Sequence, residues 1–171
     1  MFGQDAADEE LLDYTFLAEY SPQLGFKVAV DGAVNLPKAV FAKAVFSLLP
    51  PGSFYRDTAL TDAVEFTRSH DFNAPLKHPA WIGEPHTFAP VAWAPHLCVV
   101  VDVMAMKVKG KKAGQLEPVG WAVIPVFAGD KYVRAGAFQA PLYEHPVKRS
   151  ILDEMQKRPV ADVLADAVRD E

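Results

Sequence analysis

The chain has 171 residues, half of them apolar, 11% aromatic and 23% charged, and carries a net charge of -5. That composition is globular rather than disordered, and the mild acidity argues against a general nucleic-acid binder. The 14 prolines oppose a helical bundle, since proline lacks the amide donor and breaks helix interiors; they suit short strands joined by stiff loops.

Residues 1–23 form an acidic extension, with Asp5, Asp8, Glu9, Glu10, Asp13 and Glu19 around Leu11, Leu12, Tyr14, Phe16 and Leu17. Either a short helix or an edge segment packed on the body fits this pattern. From Leu24 onward, Phe26, Val28 and Val30 alternate with Lys27, Ala29 and Asp31, the period of a half-buried strand, and Leu36-Pro37 turns the chain. The next run places Val40, Phe41, Val45, Phe46, Leu48 and Leu49 where a helix or a strand would accept them. Its β-branching and the Pro50-Pro51-Gly52 stop predict a strand over about 43–49.

A short strand is expected at 64–67, then a long proline- and histidine-rich connection over 71–90 that ends in another short strand. Residues 97–103 form the strongest strand. Their unbroken apolar run predicts burial on both faces. A loop at 109–114 leads to a strand over 119–127, and Gly129-Asp130 marks a turn. Residues 132–143 alternate again, with Gly136 expected to relax or bulge the strand. In the tail, Ile151, Leu152 and Met155, then Val160, Val163, Leu164 and Val168, recur at helical spacing on either side of Pro159. Two short amphipathic helices should dock there on the body or on a partner chain. The expected fold is a mainly β, antiparallel β-sandwich over 24–147, followed by a helical tail over 148–171.

Chemistry-bearing motifs are sparse. His70, His78, His86, His96 and His145 invite a metal hypothesis, and His78, His86 and His96 share one region, but none shows the tight pairing of zinc ligands. The single Cys98 excludes an internal disulfide and fits a reducing compartment. Inside an apolar strand it is expected to be an inert buried thiol. The serines lie in no nucleophile elbow, and no glycine-rich phosphate loop is present. The expectation is a non-enzymatic protein without metal or cofactor. The acidic opening is not a signal peptide and no apolar run approaches ~20 residues, so the expected address is the cytoplasm.

The candidate functional patch is the cluster Lys107, Lys109, Lys111 and Lys112. Four cations on a short loop can meet acidic lipid, at ~1 kcal/mol each, or an acidic protein surface; they can equally be a solvated loop tip. Trp81 and Trp121 read as core, while Trp93, set among prolines, reads as a candidate partner-binding anchor.

Two stretches, taken in order, resemble a C2 domain. The first is residues 26–37 (FKVAVDGAVNLP). The second is residues 79–127, with Pro79-Ala80-Trp81, Phe88, the long apolar strand, a basic loop and Val119-Gly120-Trp121. The resemblance implies a sandwich that holds calcium between aspartate-rich loops, but here Lys38-Ala39-Val40-Phe41 follows Leu36-Pro37 without an aspartate pair. Val103 and Ala105 stand where an Asp-x-Asp belongs, and Asp102 falls on the opposite strand face. Ca²⁺ needs six to eight oxygen ligands, so the resemblance implies a calcium-independent type.

Residues 119–127 and 136–143 are similar to modules of ciliary and basal-body scaffold proteins. The expected function is therefore a protein–protein interaction or scaffold module, with cytoskeletal or axonemal partners and no nucleic acid. Alternatives are a calcium-independent phosphoinositide-binding C2 domain, and a metal-dependent enzyme on a β-barrel using His78, His86 and His96.

Overall fold

A computed structural model describes residues 13–37, 41–50, 64–66, 69–106, 116–144 and 148–169. Within them lie ten strands and two helices. The strands are β1 (Asp13–Glu19), β2 (Phe26–Val28), β3 (Ala42–Leu49), β4 (Val64–Phe66), β5 (Ser69–His70), β6 (Trp81–Ile82), β7 (His86–Phe88), β8 (Cys98–Met106), β9 (Leu116–Pro125) and β10 (Tyr132–Phe138). The helices are α1 (Arg149–Met155) and α2 (Val160–Arg169). The antiparallel, sandwich-like β architecture predicted from the sequence is the one observed.

The centre is a four-stranded sheet ordered β4-β3-β8-β9, in which β8 pairs antiparallel with both β3 and β9. One register runs Val45, Asp102, Trp121 across three strands, and the only shift along the β8–β9 pair falls between Val103 and Met104. Alternation decides what each face meets. Ala42, Ala44, Phe46 and Leu48 of β3 and Val99, Val101 and Val103 of β8 enter one core, against Leu36, Trp81, Phe88, Val91 and Leu97. The opposite face carries Leu49, Cys98, Val100, Trp121 and Val123 into a second core with Met155, Val160 and Val163 from the helices. This double cover is why the run in β8 is apolar at consecutive positions. Each fully buried large side chain, Phe88 or Leu36 for example, contributes roughly 1.5–3 kcal/mol.

Small residues make room where the layers meet. Ala42 and Ala44 are buried without bulk, and the indole of Trp81 lies close enough to donate to the Ala42 carbonyl at 2.9 Å. The pairs β2-β7 and β5-β6 are separate two-stranded sheets, and Phe26, Val28, Trp81 and Phe88 from them pack into the first core. The strand expected from Phe26 to Val30 pairs only over Phe26–Val28, because β7 offers just three residues; beyond it the chain makes an isolated bridge, Gly32 to Ala80.

Of the two forms the sequence allowed for the opening segment, the extended one occurs: β1 pairs with β10 over seven residues. Gly136 does not bulge this pair. The register is unbroken, and φ of 114° with the Tyr14 carbonyl beneath its Cα leaves no room for a side chain. At the other end, α1 and α2 turn at Pro159, whose carbonyl accepts from the amides of Asp162 and Val163. Asp162 sits in the first turn of α2, where the helix dipole favours an anion. Arg158 pairs with Asp166 at 2.5 Å, and being exposed to water the pair adds little to stability. No helix among the described residues is long and apolar enough to cross a membrane.

Candidate functional site

The lysine cluster Lys107, Lys109, Lys111 and Lys112 lies outside the described residues, as does His145. The described strands β8 and β9 converge on that stretch from either side. Trp93 is 38% exposed, with its ring 6.3 Å from that of Phe127, so one edge rests on the core and the other faces water.

The histidines are held in separate settings. His78 accepts the Asn35 amide through Nδ1 at 3.3 Å, His86 stands edge-on to Phe88 at 4.5 Å, and His70 shares a three-ring cluster with Phe41 and Phe72. No three His, Cys, Asp or Glu side chains converge among the described residues. His78, His86 and His96, close in sequence, are therefore not brought together.

Cys98 is fully buried in the second core, and burial pushes its thiol up to about 12. A thiolate is the reactive form, so at pH 8 the native protein should resist alkylation, while denaturant should release full labelling. Prompt modification of the native chain by iodoacetamide would refute that placement.

Asp102 is half-buried on the helix-covered face, opposite in direction to Val101 and Val103, and burial raises its pKa. The folded state thus favours the neutral carboxyl. The penalty is absent below the unfolded pKa and sets in as the pH rises through it toward the folded value. Asp102→Asn should accordingly raise the melting temperature at pH 7, by the equivalent of under about 1 kcal/mol because the group is half open to water, and the gain should vanish by pH 3. Equal gains at both pH values would show that the charge is not the cause.

The surface feature that the sequence did not single out is the β1–β10 ribbon. Tyr14 is 71% exposed, Phe16 62% and Leu17 59%. Tyr14 and Phe16 share one face with Ala137 and Ala135 opposite them; Leu17 shares the other with Arg134. The Arg134 guanidinium lies 4.7 Å from the Phe138 ring centre and donates to Asp13 at 2.6 Å. A hydrogen bond from the Thr15 hydroxyl, with the Arg134 charge, holds the Asp13 carboxyl below its ordinary range. The ribbon is anchored at its base by Tyr20, whose hydroxyl donates to the Val91 carbonyl at 2.6 Å and whose ring meets Phe127 edge-on at 4.6 Å. The signal was present in the sequence as the Tyr14, Phe16, Ala18 alternation, obscured by the acidic residues around it. Phe41 and Phe72, with ring centres 6.1 Å apart, form a second exposed apolar pair, and Ile82 is a further exposed side chain.

Compared with known families, residues 34–164 match the CCDC17 C-terminal domain. The matched span covers more than half of the chain and runs from Val34, ahead of β3, into α2, leaving β1 and β2 outside it. The family matched is thus not the C2 domain that residues 26–37 and 79–127 resemble, although the β-rich fold is compatible with both. No curated protein and no solved structure matches the chain. The matched span places this chain in the CCDC17 C-terminal domain family.

Proposed function

We propose that this domain is a non-enzymatic, cytoplasmic protein–protein interaction module, C2-like in build and calcium-independent, serving as a scaffold piece of a cytoskeletal or ciliary assembly. The observation that carries the reading is the set of large apolar side chains left in water. Tyr14, Phe16, Leu17, Phe72 and Ile82 are each more than half exposed, although the buried side chains of the cores are all apolar. Exposed apolar patches of this kind mark association surfaces, and aromatic residues dominate the energy of such surfaces.

The family supports the reading, since its description is that of the terminal domain of a coiled-coil protein, and a folded domain on a rod is placed to join it to something else. Calcium independence is supported by Asp102, which turns away from the face of Val101 and Val103 and so cannot join a carboxylate rim there.

The test is reconstitution. The purified chain, mixed with cytoskeletal extract, should co-elute with a protein partner on gel filtration, and a tagged copy should concentrate at axonemes or basal bodies. A chain that remains alone in extract while sedimenting with phosphoinositide vesicles would replace this reading with the lipid-binding one.

A further inference from the structure

Among the described residues β1 is bonded along one side only. The Tyr20 amide donates to the Lys131 carbonyl at 2.8 Å, which fixes the alternation: the main-chain groups of Tyr14, Phe16 and Ala18 face β10, and those of Thr15, Leu17 and Glu19 face away from it. The far edge of β10 is already engaged, since the Arg134 amide donates to Val126 and the Tyr132 carbonyl accepts from Ala128. Among the described residues no strand lies on the outer edge of β1, so the ribbon has one open side.

Such an edge is unusual in what it lacks. Folded proteins blunt open edges with lysine, proline, bulges or short strands. β1 has seven residues in unbroken register and contains no lysine, proline or glycine. A two-stranded ribbon is marginal in water by itself, and this one holds three large apolar side chains outward. It is built like a sheet with a strand to come.

Charge selects the occupant. The ends of β1 are Asp13 and Glu19; Asp13 is engaged by Arg134, and Glu19 forms no ion pair among the described residues. A second copy pairing antiparallel about Phe16 would set Asp13 against Glu19 twice, and like charges placed opposite one another destabilise a sheet. A segment carrying a cation opposite Glu19 would find attraction there instead.

We infer that the outer edge of β1 is a strand-docking site for a basic, alternately apolar extended segment of another protein. The docked segment exchanges main-chain hydrogen bonds with Thr15 and Leu17. Its apolar side chains cover Phe16 on one face or Leu17 on the other, and a terminal cation meets Glu19. This deepens the interaction reading above and rests on it.

The probe is a labelled synthetic peptide alternating valine and threonine with lysine at both ends, compared by fluorescence anisotropy with the same peptide ending in glutamate. The lysine peptide should bind the full chain, more weakly as salt rises, and the glutamate peptide should not. Thr15→Pro removes an outward amide without touching the bonds to β10 and should weaken binding about tenfold; Glu19→Lys should reverse the preference between peptides. Leu17→Ser, which leaves the main chain intact, should also weaken binding. Absence of lysine-peptide binding, equal binding of both peptides, or native affinity in all three variants would overturn the inference. If a protein partner binds those variants as tightly as the native chain, the docking edge falls and the interaction reading stands. A chain with no protein partner removes both.

Discussion

Trp121→Ala is expected to lower the stability of the domain by about 3–5 kcal/mol, a large share of the total for a domain of this size. The indole, on β9, is 4% exposed and sits in the second core with Val100, Val123, Met155, Val160 and Val163. It also faces the Tyr143 ring at 4.9 Å, and the two residues exchange main-chain hydrogen bonds of 3.0 and 2.8 Å. Removing it leaves a cavity that a two-sided sheet cannot collapse around, since the opposite face is held by a separate core. Denaturant titration measures the loss, and hydrogen exchange should show α1 and α2 losing protection with it. Ile82→Ala, at a side chain 62% exposed, serves as the control and should stay within about 0.5 kcal/mol. A Trp121→Ala loss no larger than that control would mean the helices do not depend on this contact.

Gly25→Ala should destabilise the fold by at least about 2 kcal/mol more than Gly129→Ala. The two glycines have similar backbone angles, φ of 65° and 76°, so both substitutions carry the same left-handed penalty of roughly 1–2 kcal/mol. They differ in what surrounds them. A methyl group on Gly25 would run into the Phe88 carbonyl and reach the Ala89 side chain at 2.8 Å, whereas one on Gly129 meets nothing within 4 Å. Phe88 is fully buried, so β7 cannot step back without disturbing the first core. Parallel melting curves of the two variants isolate the crowding, and equal losses would show that β7 yields freely.

What could be read from the sequence was whatever a local pattern determines. The doubly buried run in β8 and the helical spacing around Pro159 announced themselves, because their side chains repeat with the period of the element they build. Strand β3 was legible through β-branching and the prolines that stop it. Pairings were not. That Asp13 lies opposite Phe138, or that β2 ends after three residues, depends on a strand more than fifty positions away, and no short window carries that information. The same holds for the surface. Exposure of Phe16 is set by where the ribbon projects, whereas Cys98 could be placed in a core from its neighbours alone. The lysine loop, conspicuous as a charge run, lies outside the described residues, and the open edge of β1 is visible only once its one bonded side is known.

The lining of the central sheet on both sides governs how the protein can be dissected. A fragment cut ahead of Lys148 would keep every described strand, yet it would bare Leu49, Val100, Trp121 and Val123 as a continuous greasy floor. Material of that kind would adhere to almost anything, so binding experiments on helix-free fragments would report the exposed floor rather than the native surface.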